Sequence, residues 1–236
     1  MAPKIIAVLS GTRGSGKSTI ALNLAMALME RGRKVLLVDA SEEDHSIAKR
    51  LGVAPARFGF AYALNGLVPF KDVITRYRDT DLYLVLRESD IKPEFTYFNI
   101  ARLLLNGIGL LSYDYIIADG PTPMLGKKFP AAFDVLLVSS ADKAEIRKNL
   151  DEIRSALKRH DVHTDLVVNM AQEEMGDFKE ALVTLPEEKG VAKSEEKHKP
   201  IYLMDKNSGF SNGIDLLASF YEERKFAKKK KGFLHF

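Results

Sequence analysis

A short glycine-rich segment near the start of the sequence has the residue types and spacing of a phosphate-binding loop. Residues 11–18 read GTRGSGKS and fit the pattern G-x-x-x-x-G-K-[ST]. Glycines allow backbone N–H groups to turn inward around phosphate oxygens. Lys17 would reach the β- and γ-phosphates of a nucleotide, and the Ser18 hydroxyl would bind Mg²⁺. The segment therefore predicts a site for a nucleoside triphosphate and magnesium.

The elements on either side of the loop are those that such a loop needs. The apolar run Ile5–Leu9 reads as a buried strand, and Thr19–Leu28 reads as a helix. A helix that begins at the loop adds the partial positive charge of its N-terminus to the phosphate site. A glycine-rich turn that binds nothing is the alternative, but the agreement of the fixed positions with both flanks favours phosphate binding.

Apolar strands alternate with helices along the sequence. Helices are predicted over 95–111, 142–160 and 214–223, with loop and short helices over 41–66. Continuous apolar strands separated by helices predict an α/β fold with a mostly parallel, doubly wound sheet of about seven strands and helices on both faces. The predicted strands are Ile5–Leu9, Val35–Asp39, Leu82–Leu86, Tyr115–Asp119, Val135–Ser139, Leu166–Asn169 and Ala181–Leu185.

Polar residues stand where three of these strands end. They are Asp39, Asp119 and Asn169. Ligands of parallel sheets bind at the carboxyl ends of the strands, and the glycine-rich loop lies at that same edge. Each residue alone could be a turn or cap former, which is a common role of Asp and Asn. Together with the loop, the three predict one site.

The composition is that of an ordinary globular protein. The chain has 236 residues, of which 46% are hydrophobic and 28% charged, and it has no cysteine. The lack of cysteine excludes disulfides, thiolate metal ligands and a thiol nucleophile. No apolar stretch of the sequence is long enough to cross a membrane. We predict a cytoplasmic protein with one domain over residues 1–223 and a separate tail over 224–236.

Charge is unevenly distributed along the chain. Residues 224–236 contain six Lys or Arg and no Asp or Glu, whereas the remainder has 29 basic and 32 acidic residues. Within the tail, Lys228–Phe236 joins four lysines to Phe233, Leu234 and Phe236, a pattern typical of a peripheral membrane anchor. A solvated basic end is the alternative. We favour the membrane because a solvated tail gains nothing from its apolar residues.

Further motifs, together with the loop, resemble the MinD/ParA group of P-loop ATPases. The group's Y-D-x-I-I-x-D-x-P motif corresponds to Tyr113–Pro121, its adenine-side strand to Val167–Met170, and its I-P-E-D turn to Leu185–Glu188. The tail is similar to the membrane-targeting segment of MinD proteins. The resemblance runs from Lys4 to about Tyr221, and it implies that the ligand is ATP or ADP with Mg²⁺.

The resemblance also implies roles for individual positions. Lys17 and Asp39, the latter in the first switch segment, would be catalytic. Ser18 and Asp119 would hold Mg²⁺, Asp119 through water, and the stretch from Asp119 to Pro123 would form the second switch. An ATP-dependent homodimer is a further implication. The residues expected to bind the nucleotide are Gly11, Arg13, Gly14, Ser15, Gly16, Lys17, Ser18, Thr19, Asn169 (at the adenine edge), Pro186 and Glu187.

Two positions depart from the pattern of the group. Thr12 stands where the group has a signature lysine that reaches the phosphates of a dimer partner. The neighbouring Arg13 either replaces that lysine or is a solvated side chain. Ser41 replaces the second carboxylate of an Asp-x-Asp motif, the one that orients the attacking water. Loss of such a group lowers the rate by orders of magnitude, so we expect weak or absent hydrolysis unless an acidic residue at 42–44 substitutes.

Three functions are compatible with these residues. We favour an ATP-binding switch of the MinD kind, held at the inner face of the cell membrane by its tail and acting on an unknown protein partner. A ParA-like partition ATPase that binds DNA is the alternative, and the basic positions Lys143, Arg147, Arg154 and Lys158 on one predicted helix would suit it. Nucleic acid is less favoured because acidic residues outnumber basic ones outside the tail. A regulator that binds nucleotide without hydrolysing it is the third.

Overall fold

A computed structural model describes residues 3–41, 46–88, 113–120, 134–157, 162–172 and 178–224. The predicted helix over 95–111, positions 42–44, the second switch beyond Gly120, Lys158 and the tail from 225 lie outside the described residues. The strands are β1 (Lys4–Leu9), β2 (Val35–Asp39), β3 (Ile74–Arg76), β4 (Leu82–Val85), β5 (Tyr115–Asp119), β6 (Asp134–Ser140), β7 (Thr164–Ala171) and β8 (Val183–Pro186). The helices are α1 (Lys17–Glu30), α2 (Ser46–Leu51), α3 (Phe60–Leu64), a 3-10 helix (Phe70–Val73), α4 (Lys143–Leu157), α5 (Lys189–Glu196), α6 (Ile201–Met204) and α7 (Gly209–Glu223).

The described strands form one sheet in the order β3-β4-β2-β5-β1-β6-β7-β8. β3 runs antiparallel to β4, and the other neighbours pair in parallel. The predicted mostly parallel α/β sheet is therefore confirmed, and all seven predicted strands occur. The sequence pattern does not predict β3, because this edge strand has only three residues and its side chains are half-buried or exposed.

Each face of the sheet has its own apolar core. In the central strand β1, Ile6 and Val8 pack with α1 and α7, whereas Ile5, Ala7 and Leu9 pack with α3 and α4. Because helices cover both faces, the central strands need apolar side chains at every position. This explains the continuous apolar runs from which the strands were predicted.

Two long helices hold the loop region in place. α1 is buried along nearly its whole length between the sheet and α7. The side of α4 that faces the sheet is apolar, because Ile146 and Ile153 are buried and Leu150 packs beside them. None of the described helices is long and apolar enough to cross a lipid bilayer.

Candidate functional site

The loop that follows β1 lies near the centre of the carboxyl edge of the sheet. β1 pairs with β5 on one side and with β6 on the other. The chain first moves outward to β2, which lies beyond β5, and later crosses to β6 on the opposite side. Ligands of open α/β sheets bind in the crevice where the strand order reverses in this way. The fold therefore brings the predicted phosphate-binding loop to the usual ligand site of its class.

Glycines give the loop its conformation. Gly14 and Gly16 have φ angles of 74° and 92°, in the left-handed region that residues with side chains rarely adopt. A Cβ on Gly16 would also collide with the amide nitrogen of Asn169. Lys17 and Ser18 then begin α1, and their exposed fractions are only 6% and 5%. The first N–H groups of a helix lack partners within it, so this arrangement can receive a phosphate.

Two fully buried carboxylates end neighbouring strands beside Ser18. Asp39 ends β2, Asp119 ends β5, and the two residues are in register. Burial, and after it the negative charge of Asp39, raises the pKa of Asp119 to about 7, against the opposing effect of a hydrogen bond with Ser18. Two repelling carboxylates and a hydroxyl fit a divalent cation, which would relieve the repulsion.

No group of three His, Asp or Glu side chains that could hold a metal occurs in the described residues. A cation held by Ser18 and Asp119 would therefore complete its coordination with phosphate oxygens and water, which is how Mg²⁺ is usually bound at nucleotide sites.

Ser41 is turned toward Asp39. Its hydroxyl donates to Asp39 Oδ1 at 2.7 Å, and its backbone N–H donates to the same oxygen at 3.3 Å. The other oxygen, Oδ2, accepts from the backbone N–H of Ile47 in α2 at 3.2 Å. Burial raises the pKa of Asp39, although these hydrogen bonds oppose the shift. The residue that replaces the expected carboxylate thus fixes the remaining one.

A buried arginine that the sequence interpretation missed supports this segment. Arg87 lies just beyond β4, its exposed fraction is 5%, and its Nη1 donates to the carbonyl oxygen of Ser41 at 2.8 Å. The next residue, Glu88, is also buried and accepts from the backbone N–H of Tyr62 at 3.1 Å. A charged pair directly after an apolar strand was a usable signal, since it stands at the same edge as Asp39.

A cavity of about 340 Å³ opens beside the loop. Gly11, Arg13 and Ser15 do not line it: Arg13 is exposed, and Ser15 is buried. Arg50 and Glu195 do line it, and the sequence interpretation missed both, because they come from short helices without a motif. The cavity brings together eight of the residues expected to bind a nucleotide: Gly14, Gly16, Lys17, Ser18, Thr19, Asn169, Pro186 and Glu187.

Asn169 holds the loop as well as lining the cavity. Its Nδ2 donates to the carbonyl oxygen of Ser15 at 2.9 Å. Met170, the next residue, has a φ of 58°, and the pairing of β7 with β8 shifts register between Val168 and Ala171. A left-handed residue other than glycine is uncommon and often marks a functional site. The amide predicted to contact adenine is thus engaged, through its nitrogen, with the phosphate-binding loop.

Residues 6–201 match the family described as the CobQ/CobB/MinD/ParA nucleotide binding domain. This span contains the loop, both carboxylates and the strand that carries Asn169. The chain belongs to this family. The predicted resemblance to the MinD/ParA group is therefore confirmed, and the protein is a nucleotide-binding member of the group.

Solved structures related to MinD have the same fold. The septum site-determining protein MinD of Pyrococcus horikoshii, solved with Mg-ADP, matches with a TM-score of 0.79 and 20% identity over 94% of this chain and 96% of that one. A chain of the MinC:MinD cell division protein complex of Aquifex aeolicus matches with a TM-score of 0.78 and 24% identity over 97% of this chain and 100% of that one. At these identities the likeness shows the fold alone.

A curated relative matches over a shorter region. The tyrosine-protein kinase CpsD of Streptococcus agalactiae is 30% identical over 145 residues. The matched region is 59% of this chain and 59% of the kinase, so the chain spans less than two thirds of the length of that relative.

Thr12, at the loop position where the resemblance predicts a signature lysine, contacts α4. Its side chain hydrogen-bonds to Glu145 of α4. Glu145 also accepts from the Ser140 hydroxyl at 2.6 Å. Burial raises the pKa of Glu145, but the hydrogen bonds from Ser140 and Thr12 outweigh burial and hold the pKa below its ordinary value. An ionised carboxylate therefore ties this end of the loop to α4.

Proposed function

We propose that this protein is a nucleotide-dependent switch of the MinD kind. It binds ATP or ADP with Mg²⁺ at the carboxyl edge of the sheet, and it associates with a membrane through Lys228–Phe236 of its tail. The meeting of Lys17, Ser18 and Asp119 at the start of α1 is the observation that carries the nucleotide part. These residues combine a buried positive charge with the oxygen ligands that Mg²⁺ prefers, next to a cavity of about 340 Å³.

Each residue of the site has a defined task in this proposal. Lys17 binds the β- and γ-phosphates, and the N–H groups of the loop and the first turn of α1 bind the remaining phosphate oxygens. Ser18 and Asp119 hold Mg²⁺, which neutralises phosphate charge when bound. Pro186 and Glu187, which also line the cavity, adjoin the base.

Two loops that leave the sheet side by side supply the switch. One begins after Asp39 and the other after Asp119. The backbone N–H of Ala40 donates to the carbonyl oxygen of Asp119 at 3.0 Å, and the N–H of Gly120 donates to the carbonyl oxygen of Val8 at 3.0 Å. These hydrogen bonds join the two loops to each other and to β1. A change in position of one loop on contact with the γ-phosphate would therefore also move the other loop and the end of β1, which leads into the phosphate-binding loop.

A regulator that binds nucleotide without hydrolysing it is a second candidate. The contacts of Ser41 favour it, because its hydroxyl is held by Asp39 and its exposed fraction is 2%. A buried hydroxyl that already donates to a carboxylate is poorly suited to orient an attacking water.

The wild-type rate of hydrolysis distinguishes the two candidates, and Ser41→Asp tests why that rate is low. The substitution restores the carboxylate of the family motif, so we expect hydrolysis of Mg²⁺–ATP to rise by about tenfold or more in a single-turnover assay. Ser41→Asn introduces a side chain of the same size as Asp but without its charge, and it should leave the rate at the wild-type level. Fast hydrolysis by the wild type that Ser41→Asp does not change would contradict this and assign the role to a residue at 42–44. No measurable turnover by the wild type would favour the regulator.

The position of the end of α7 supports the membrane part of the proposal. Lys4, the first residue of β1, donates from Nζ to the carbonyl oxygen of Tyr221 at 3.0 Å. Arg224 Nη1 lies 3.0 Å from Asp165 Oδ2 near the start of β7. Arg224 therefore lies at the amino edge of the sheet, opposite the phosphate-binding loop. A tail that binds a membrane from this edge would leave the nucleotide site accessible.

Ending the chain after Arg224 should abolish binding to anionic liposomes and leave nucleotide affinity unchanged. Arg224 is retained because it pairs with Asp165. The four lysines of the tail contribute roughly 1 kcal/mol each at an anionic surface, and Phe233, Leu234 and Phe236 add apolar insertion. Sedimentation with anionic and with neutral liposomes, at low and high salt, measures both contributions.

Point variants separate insertion from charge. Phe233→Asp should weaken liposome binding more than His235→Asp, because the charge change is equal but only the first removes an apolar side chain. Added ATP should strengthen binding if it causes dimerisation, since two weak tails then act together. Negligible binding to both liposomes, with tight and salt-sensitive DNA binding that Arg147→Ala weakens, would reject the membrane role in favour of a ParA-like one.

A further inference from the structure

A mixed polar cluster, formed by Thr19, Arg50 and Glu195, joins three elements beside the phosphate-binding loop. Glu195 Oε1 in α5 accepts from the Thr19 hydroxyl in α1 at 3.1 Å and from Arg50 Nε in α2 at 3.0 Å. Arg50 Nε also lies 3.3 Å from Thr19 Oγ1. All three residues line the cavity described above. One carboxylate oxygen is therefore held by a hydroxyl and a guanidinium within the cavity that is proposed to take the nucleotide.

The Glu195 carboxylate lies where the loop and α1 are suited to an anion. Thr19 directly follows Ser18 in the first turn of α1, whose N–H groups are available to a phosphate. Arginine is the side chain best suited to phosphate, because its planar fork of donors matches phosphate oxygens. A hydroxyl of α1 and a guanidinium that converge on one oxygen thus make contacts of the kind a phosphate would accept.

The other carboxylates that line the cavity are held elsewhere. Glu187 Oε2 accepts from Gln172 Nε2 at 3.0 Å, and Glu188 Oε1 accepts from the backbone N–H of Gly209 at 2.8 Å. Together with Glu195 they outnumber the cationic lining residues, Lys17 and Arg50. A nucleotide adds further negative charge, so a carboxylate at the phosphate end opposes its entry unless that carboxylate moves away.

We propose that Arg50 is a further phosphate ligand of this site, and that Glu195 holds it by occupying the place of a phosphate until a nucleotide binds. The inference rests on the proposed nucleotide function and adds a residue from α2 to the phosphate site. On binding, a phosphate oxygen replaces Glu195 Oε1 as the acceptor of the Thr19 hydroxyl and of Arg50. Glu195, whose side chain is already 42% exposed, turns toward solvent.

Replacement of Glu195 by a phosphate would also affect the first switch segment, because α2 carries Arg50 and also supports Asp39. The N–H of Ile47, near the start of α2, donates to Asp39 Oδ2 at 3.2 Å. The other end of α2 is bound to the chain after α5, where His198 Nδ1 lies 2.7 Å from the carbonyl oxygen of Lys49. Replacing Glu195 with a phosphate shifts one attachment of α2 from α5 to the nucleotide. Arg50 therefore couples nucleotide binding to the position of Asp39.

Affinity measurements on four proteins test the exchange. Calorimetry gives the Kd of Mg²⁺–ADP for the wild type, Glu195→Gln, Arg50→Gln and the double variant. We expect Glu195→Gln to bind about fivefold more tightly, because the competing carboxylate is lost and Arg50 no longer has to leave an ion pair. Arg50→Gln should weaken binding, and by a larger factor in the Glu195→Gln background than in the wild type. A purely structural cluster would not produce a gain in affinity.

Neighbouring residues provide matched controls. Glu196→Gln and Lys49→Gln make the same changes of charge at exposed positions one residue away, and both should leave the Kd unchanged. Thermal unfolding of each variant verifies that it is folded, and Arg50→Lys repeats the test with the charge retained. Nucleotide binding that Glu195→Gln leaves unchanged or weakens, or an equal Arg50 effect in both backgrounds, would overturn the exchange alone. No binding by any of the proteins up to millimolar ADP would overturn the proposed function as well.

Discussion

Lys17→Ala should reduce the affinity for Mg²⁺–ATP and Mg²⁺–ADP by about a hundredfold or more while the protein remains folded. Lys17 is buried in the first turn of α1, close to the buried carboxylate of Asp119, so its ammonium group is the main positive charge at the phosphate end. Charge-assisted hydrogen bonds in a poorly solvated site are roughly twice as strong as neutral ones. Calorimetry of the wild type and the variant measures the loss.

A lysine on the surface provides the control for this substitution. Lys49→Ala removes the same charge from an exposed position on α2 and should leave the Kd within about twofold of the wild-type value. Nucleotide binding that survives Lys17→Ala would exclude the phosphate-binding loop as the site. A wild type without affinity up to millimolar nucleotide would remove the basis of the proposed function.

Local patterns in the sequence were sufficient to predict the phosphate-binding loop and the long strands. The loop residues from Gly11 to Ser18 are contiguous, and the φ angles of Gly14 and Gly16 are the kind that only glycine adopts easily. The strands were predictable because both faces of each central strand are buried, which leaves no polar position to interrupt the apolar run. Asp39 and Asp119 followed from their places at the ends of such strands.

Contacts between parts of the chain that are distant in sequence could not be predicted from the sequence alone. Arg50 and Glu195 are 145 residues apart in sequence and meet only because α2 and α5 pack together. Asn169 and Ser15 are likewise 154 residues apart, and the positive φ of the neighbouring Met170 is rare outside glycine and so has no sequence signature. Arg87 differs from these, since the position of a charged residue directly after an apolar strand could have identified it.

Asp119→Asn should have opposite effects on stability and on magnesium-dependent binding. Asp39 and Asp119 repel each other in register at the ends of two buried strands, and burial followed by that repulsion raises the pKa of Asp119 to about 7. An acid whose pKa is raised on folding stabilises the folded protein fully only below its unfolded pKa, and that stability is lost as the pH rises through the folded value. The asparagine variant should therefore unfold at a temperature about 5 °C above the wild type at pH 8 without metal.

The difference in unfolding temperature between Asp119→Asn and the wild type should follow the titration of the Asp119 carboxyl group. This difference should be small near pH 4 and grow as the pH rises to about 7. Above that pH it should stay constant, because Asp119 is then ionised in both the folded and the unfolded wild type. Asp151→Asn, on the exposed face of α4, is the control and should not change the unfolding temperature.

Mg²⁺–ADP should stabilise the wild type at pH 8 and fail to stabilise Asp119→Asn, because Mg²⁺ has lost its carboxylate. An unfolding temperature of Asp119→Asn below the wild-type value at pH 8 would show that the carboxylates do not strain the fold. Equal stabilisation of both proteins by Mg²⁺–ADP would show that Asp119 does not hold the metal.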